Sequence, residues 1–175
     1  MKRVWLASAV IVCLSSAAFA QDNPISASTK ATYEIVKGYI TKAADKVPDD
    51  QYAFKPTPDV RSFGQLIGHV ADSNYQICGG ATGEKGPAGS IEKTQTSKAE
   101  LVKALAASFA FCDKAYASMT DAKGAELVPF FGSQKMARVS VLAFNNSHDF
   151  EHYGNMVTYM RLKGIVPPSS QPTGN

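Results

Sequence analysis

Apolar residues recur at helical spacing in four separate segments of this chain, and no segment has the alternation of a strand buried on one face. Proline, glycine and serine residues separate the segments. Four amphipathic helices bury their apolar faces by packing against one another. The sequence therefore predicts an all-α fold, a four-helix bundle. The predicted helices run from about Ala27 to Lys46, from Ser62 to the glycines at 79–83, from Ser97 to about Thr120, and from about Lys135 to Lys163.

Helix-capping residues support three of these boundaries. Ser62 is followed three residues later by Gln65, and Ser97 by Glu100, which is the spacing of a capping box. Gly164 follows the fourth segment as a C-terminal glycine, with prolines beyond it. The bundle prediction therefore has local support at the helix ends.

Three connections between the predicted helices are distinctive. Tyr52 and Phe54 lie in a turn-rich loop, and we expect them to pack under the bundle. Residues 79–96 form a long Gly/Thr/Ser/Lys loop, a length typical of mobile or functional loops. The apolar insert at 128–132, bounded by proline and glycine, predicts either a strand-like hairpin or an aromatic plug over one end of the core.

All three histidines of the chain fall on predicted helices. His148 and His152 are four residues apart, which places both rings on one face of the fourth helix, one turn from each other. If the second helix faces the fourth, His69 can join them. Three protein ligands with a fourth position open is the arrangement of a catalytic zinc-type site. The pattern indicates that His69, His148 and His152 bind one divalent metal ion.

The same pattern has a second interpretation. A single helical histidine is more often a core or boundary residue with a satisfied hydrogen bond than a ligand, so a metal-free scaffold stays open. If metal is bound, neutral imidazoles suit zinc, nickel, iron or copper. A water molecule in the open position would become more acidic and could act as a nucleophile.

Three acidic residues accompany the histidines. Asp72, Asp149 and Glu151 could each orient a ligand ring or act as a base. For Asp149 and Glu151 we favour a solvated surface position. The run from His148 to His152 also matches the H-x-x-E-H pattern of inverzincin peptidases, in which the glutamate is the base and a third ligand lies downstream. The 23 residues after His152 contain no acid and no histidine, so this interpretation ranks second.

The amino terminus has the features of a secretory signal. Lys2 and Arg3 precede an apolar stretch, which ends in the small-residue cleavage motif Ala-Phe-Ala. This predicts a Sec-type signal peptide of residues 1–20, cleaved after Ala20, and a single mature domain of residues 21–175. We therefore expect a periplasmic or secreted protein.

Charge and hydropathy narrow the partners of the mature chain. Lys2 and Arg3 account for two of the 18 basic residues, so the mature chain, with 15 acidic residues, is nearly neutral. It has no basic stripe, which argues against a nucleic-acid partner. It has no second apolar run long enough for a membrane span. The remaining expectation is a small-molecule substrate whose identity the sequence does not specify.

Two cysteines, Cys78 and Cys112, remain in the predicted mature chain. An oxidising compartment favours a disulfide between them. Two buried free thiols, acting as small apolar side chains, are the alternative. Sequence alone leaves the two open, because it does not supply the geometry that a bridge requires.

Two stretches of the chain resemble the DinB/YfiT-like family of metalloenzymes. The sequence YMRLKGIVPP at 159–168, which follows the histidine pair, is similar to the family's usual ending. The stretch from Phe54 to His69, with its Pro56 and its Arg61-Ser62 pair, resembles the family's segment before its first histidine. The motifs occur in the same order and with similar spacing, and the resemblance covers nearly all of the predicted mature chain.

The resemblance implies a DinB-like four-helix bundle whose histidine triad corresponds to His69, His148 and His152. It implies zinc or nickel as the metal. Some members are thiol transferases or isomerases that use a small thiol, others are hydrolase-like, and dimers are common. This chain departs from the pattern in its export signal, which argues against a cytosolic thiol, and in Glu151, where a second adjacent histidine is frequent.

Two hypotheses follow. The first is an exported metal-dependent enzyme in which the three-histidine site activates water or a thiol for hydrolysis or group transfer. The second is a non-catalytic metal-binding or structural periplasmic bundle. A fourth side-chain ligand, such as Asp72 or Glu151, would favour the second, whereas an open coordination position would favour the first.

Overall fold

The computed structural model describes residues 22–171, and four long helices dominate it. Periodic apolar residues on each helix supply the buried face that the sequence predicts. The all-α prediction is confirmed. The long helices are α1 (Pro24–Lys46), α2 (Phe63–Thr82), α4 (Lys98–Ala117) and α6 (Arg138–Leu162).

Short elements occupy the connections. Two helices of a single turn precede and follow α4, and a two-stranded antiparallel hairpin precedes α6. These are α3 (Ile91–Thr94), α5 (Asp121–Gly124), β1 (Leu127–Pro129) and β2 (Lys135–Ala137). The hairpin is therefore the observed form of the apolar insert. The predicted start of the fourth helix at Lys135 is wrong, because Lys135–Ala137 pairs with β1 and the helix begins at Arg138.

The four long helices form a closed ring of neighbours. α1 packs against α4 and α6, and α2 packs against the same two helices from the opposite side. Their apolar faces meet in one core, to which the loop residue Tyr52 also belongs. The Tyr52 hydroxyl donates a hydrogen bond to the Ala44 carbonyl at 2.7 Å, and Phe54 is partly buried against the core. The loop therefore closes one end of the bundle, as expected.

A disulfide links two of the helices. Cys78 on α2 and Cys112 on α4 are bonded, with their Cα atoms 5.4 Å apart. Both cysteines are fully buried. The bridge therefore lies inside the α2–α4 interface, and the free-thiol alternative does not apply.

The capping predictions at Ser62 and Gly164 match the local structure, whereas Ser97 caps α4 without the full box, because Glu100 accepts from the Ser97 hydroxyl. The Ser62 hydroxyl accepts from the Gln65 backbone N–H at 3.1 Å, and the Gln65 side chain accepts from the Ser62 N–H at 2.9 Å. Gly164, with φ of 71°, follows the end of α6. These caps set the ends of the two helices that carry the histidines.

The predicted signal peptide, residues 1–20, lies outside the described residues. Between residues 22 and 171, no helix combines the length and the apolarity that crossing a bilayer requires.

Candidate metal centre

Helices α2 and α6 run antiparallel, and contacts at their two ends set their register. At one end the Tyr159 hydroxyl donates to the Arg61 carbonyl at 2.8 Å. At the other end the Arg138 guanidinium donates to the Ala81 carbonyl at 2.6 Å. His69 lies between these contacts on α2. The register therefore brings it opposite the α6 histidines.

The three imidazole rings meet at their Nε2 atoms. His148 Nε2 lies 3.2 Å from His69 Nε2 and 3.1 Å from His152 Nε2. One nitrogen from each ring can be chosen so that all three lie within 4.8 Å of one another. Two nitrogens bound about 2.05 Å from a tetrahedral zinc ion would be about 3.3 Å apart. The donor set and its spacing therefore fit a divalent ion bound by three imidazoles.

Burial keeps two of these rings in the neutral form that binds metal. His152 is 5% exposed. Desolvation, together with the neighbouring His148 and His69, lowers its pKa to about 3. Desolvation also lowers the pKa of His69, with smaller contributions from Arg61 and His148, while Glu92 opposes the shift. An imidazole that stays neutral at pH 7 has a free nitrogen lone pair for a metal ion.

A carboxylate from the long loop lies behind one of the rings. Glu92 Oε2 is 3.1 Å from His69 Nδ1, the nitrogen on the far side of the ring from the cluster. Glu92 Oε1 accepts from Arg61 Nε at 2.9 Å. The sequence did not single out either residue for the site. The available signal was weak, since Glu92 is one of two acidic residues in the loop at 79–96.

Asp72 has a different role from those considered for it. Its carboxylate accepts hydrogen bonds from the Ser90 hydroxyl at 3.1 Å and from the backbone N–H groups of Ile91 and Glu92 at 2.8 and 3.0 Å. These three hydrogen bonds cap the short helix α3, and none of them involves a histidine ring.

The two acidic residues between the α6 histidines differ in environment. Asp149 is fully buried, so its predicted surface position is wrong. The packing of α6 against its neighbours turns this side chain inward, and burial raises the pKa of its carboxyl to about 6. Asp149 Oδ1 lies 3.9 Å from His148 Nδ1, beyond hydrogen-bond distance. Glu151 is exposed, as expected.

A cleft of about 500 Å³ gives solvent access to the cluster. His152 lines it, together with Arg61, Glu92, Glu151 and Tyr159. Within residues 22–171, two larger hollows, of about 690 and 640 Å³, are lined by residues other than the three histidines. Of these three hollows, the cleft at His152 is therefore the one that reaches the cluster.

Three aromatic residues lie near His148. The rings of Phe130, Phe131 and Phe144 pack on one another, with centroids 4.3 to 5.6 Å apart. The Phe144 ring lies 6.5 Å from that of His148. The β1–β2 hairpin thus adds an apolar wall beside this histidine.

The model of the DinB superfamily matches residues 32–156, a range that includes all three histidines. The chain belongs to the DinB superfamily. Among curated proteins, none matches the sequence.

Solved structures of other proteins, two of them DinB-like, have a similar fold. A DinB-like protein from Bacillus cereus has a TM-score of 0.70 and 19% identity, over 80% of this chain and 93% of that one. One from Bacillus subtilis has a TM-score of 0.63 and 18% identity, over 85% and 99%. A mutant of the mycothiol-dependent maleylpyruvate isomerase has a TM-score of 0.60 and 12% identity, over 75% of this chain and 60% of that one. At these identities the likeness shows the fold.

The geometry of the histidine cluster also bears on the inverzincin interpretation. The third ring of the cluster comes from His69, which precedes the H-x-x-E-H run instead of following it. Among the described residues, no carboxylate or thiol joins the three-histidine group. Glu151 therefore lies outside the candidate ligand set.

Proposed function

We propose that this DinB-superfamily protein is an exported metal-dependent enzyme that acts on a small molecule by hydrolysis or group transfer. His69, His148 and His152 would bind one divalent ion, with zinc or nickel as the expected metal. The observation that carries the proposal is the approach of three Nε2 atoms from two helices, with neighbouring distances of 3.1 and 3.2 Å, beside an open cleft.

Each group of residues has a distinct part in this proposal. A divalent ion at such a site acts as a Lewis acid and makes a bound water or thiol a better nucleophile. The three histidines hold the ion, and two of them are kept neutral by burial. The cleft beside His152 admits the substrate.

The donor set favours an enzyme over a structural metal site. Structural zinc sites are closed by four protein ligands, whereas catalytic sites keep a position for water or substrate. Asp72 is occupied in capping α3, and Glu151 is exposed outside the cluster. A group of three histidines beside a cleft corresponds to a site with an open coordination position.

Metal retention is the first test. The purified mature protein, exchanged against zinc, nickel and manganese, is expected to retain one equivalent of at least one metal. His152→Ala removes one of three donors and should lose the metal. Glu151→Gln, a matched control on the same helix and the same cleft, should retain it. A wild-type protein that never retains stoichiometric metal, or a His152→Ala variant that binds as before, would overturn the proposal.

Cobalt substitution tests the open position. Cobalt(II) in the site should change its visible spectrum when azide or a small thiol is added, because an exogenous ligand can enter an open coordination sphere. An unchanged spectrum would indicate the non-catalytic, structural alternative. A stronger response to thiol than to azide would favour thiol transfer over hydrolysis.

Export and assembly have separate tests. Expression of the full chain followed by cell fractionation and N-terminal sequencing should give a periplasmic protein that begins at Gln21. A cytoplasmic protein that begins at Met1 would contradict the export proposal. Light scattering on the purified protein tests the homodimer that the family resemblance implies.

A further inference from the structure

We infer that Glu92 is a positioning residue for His69: its carboxylate sets the tautomer and orientation of the ring, and α3 and Asp72 hold it in place. This inference rests on the proposed metal site for its effect on metal binding. Its central geometric claim concerns the metal-free protein and can be tested there.

The contact lies at the ring nitrogen that faces away from the cluster. Glu92 Oε2 is 3.1 Å from His69 Nδ1, while His69 Nε2 points at His148 Nε2, 3.2 Å away. A carboxylate accepts a hydrogen bond from a ring N–H, so the proton belongs on Nδ1. The lone pair is then on Nε2, towards the metal position. Carboxylates behind metal-binding histidines act in this way and also raise the basicity of the ligand.

The other two rings lack this support. Within the described part of the chain, Nδ1 of His148 and Nδ1 of His152 have no hydrogen-bond partner. No contact at Nδ1 therefore selects the tautomer of these two rings. His69 is the ring whose donor atom is selected in advance, which gives Glu92 a specific effect on the cluster.

The Glu92 carboxylate is itself held from its other side. Its Oε1 accepts from Arg61 Nε at 2.9 Å. Arg61 lies directly before the N-cap of α2, and its carbonyl accepts from the Tyr159 hydroxyl on α6. Arg61, which holds Glu92, is thus itself held in place by both α2 and α6.

Glu92 lies on the short helix α3, which is held against α2 by Asp72. Helix α3 has four residues, too few to be stable alone. Asp72 fastens it to α2 through three hydrogen bonds, from Ser90 and from the N–H groups of Ile91 and Glu92.

Gly68 provides the space for this contact. A Cβ at Gly68 would lie 2.7 Å from Glu92 Cα and 2.9 Å from Glu92 N, so glycine lets the two backbones touch. One turn of α2 thus holds the glycine that α3 packs against, the histidine that Glu92 contacts, and the aspartate that caps α3.

The first measurement uses the metal-free mature protein. Nitrogen-15 NMR of the imidazole rings should show wild-type His69 protonated on Nδ1 at neutral pH. Glu92→Ala should move the proton towards Nε2 or give a mixture of tautomers. Glu92→Gln keeps an acceptor oxygen and should largely preserve the wild-type tautomer. An unchanged tautomer in Glu92→Ala would overturn the inference, whether or not the protein binds metal.

The second measurement is zinc affinity, by competition with a chromophoric chelator. Glu92→Ala should weaken binding by about 10- to 100-fold, the usual effect of removing such a partner, and Glu92→Gln should recover part of the loss. Glu151→Gln, the same charge change in the same cleft, should bind zinc as wild type does. Equal affinity in wild type and Glu92→Ala, with both folded by circular dichroism, would contradict the positioning role. Loss of zinc binding in the wild type would instead refute the proposed function and leave the tautomer result standing.

Discussion

Asp121 shows how one side chain can complete a helix from a distance. Its carboxylate accepts from the backbone N–H of Ser26 at 2.8 Å, from that of Ile25 at 3.2 Å, and from the Ser26 hydroxyl at 2.8 Å. Its own N–H donates to Asn23 Oδ1 at 2.8 Å. Helix α1 therefore begins at Pro24, three residues before the predicted start, because a residue from α5 satisfies its first N–H groups.

The Asp121 contact predicts a pH-dependent contribution to stability. Hydrogen bonds from the Ser26 and Ile25 backbones lower the pKa of its carboxyl below 3.8. A lowered pKa means that the contribution is complete above the unfolded-state pKa and is lost as pH falls through the folded-state pKa. Asp121→Asn should lower the thermal midpoint by a constant amount between about pH 5 and 7, and by less below about pH 4.

Thermal unfolding followed by circular dichroism at several pH values checks this expectation. Asp59→Asn removes an exposed carboxylate from the 54–62 loop and serves as the control. A difference between wild type and Asp121→Asn that stays the same down to pH 2 would contradict the assignment.

Gly68 gives a second prediction at the residue scale. Gly68→Ala places a methyl group against the Glu92 backbone, so α3 must move away from α2 and carry the carboxylate from His69. Zinc affinity should fall towards that of Glu92→Ala, and proteolysis of the loop at 83–97 should speed up. Gly80→Ala on the same helix meets no atom within 4 Å and is the matched control. It should be neutral or stabilise the protein by up to about 1 kcal/mol through helix propensity. Zinc affinity that is equal in the two variants would argue against the close approach.

At the scale of elements, α2 is the helix on which the other parts converge. It packs against α4, α6 and α3. The disulfide joins it to α4, its His69 meets the two histidines of α6, and Asp72 holds α3. Helix α2 is thus joined to three neighbouring helices by three different kinds of contact. The position of α2 therefore determines the shape of the candidate site.

The disulfide predicts a measurable loss of stability on removal. Cross-linking residues 34 apart restricts the unfolded chain by an amount corresponding to about 3–4 kcal/mol. A Cys78→Ala/Cys112→Ala double variant should unfold at correspondingly lower urea. Reductant should destabilise the wild type and leave the variant unchanged. If the variant and the oxidised wild type unfold at the same urea concentration, the bridge does not contribute to stability.

At the scale of the whole molecule, the candidate metal centre connects two sides of the bundle ring. His69 lies on α2, and His148 and His152 lie on α6, so an ion bound to all three cross-links neighbouring helices. An ion that binds the folded state and not the unfolded chain raises the free energy of unfolding. Metal content and global stability should therefore change together.

Zinc should raise the unfolding temperature of the wild-type protein. Free zinc at 100 times the dissociation constant adds about 2.7 kcal/mol to the free energy of unfolding. His69→Ala should show a much smaller response, and chelator should return the wild type to its metal-free midpoint. Calorimetry with and without zinc measures the difference. An equal increase in His69→Ala would indicate binding elsewhere on the protein.

Much of the fold and part of the site could be predicted from local patterns. Ser62 and Gln65 mark the start of α2 because a capping box depends on four consecutive residues. His148 and His152 share a face because the helical repeat alone places residues four apart side by side. The start of α6 was missed because Lys135 to Ala137 continue its periodicity, and the pairing with β1 outweighs that preference.

Spacing along the chain was enough to predict four helices and the adjacency of His148 and His152. The packing of the helices brings His69 to them, brings Cys78 to Cys112, and buries Asp149. It also brought Glu92 to His69 across 23 residues. These outcomes depend on the register between packed helices and on backbone contacts of a single-turn element. Neither the register nor these contacts produce a periodic pattern in the sequence, because both depend on which side chains meet once the helices have packed.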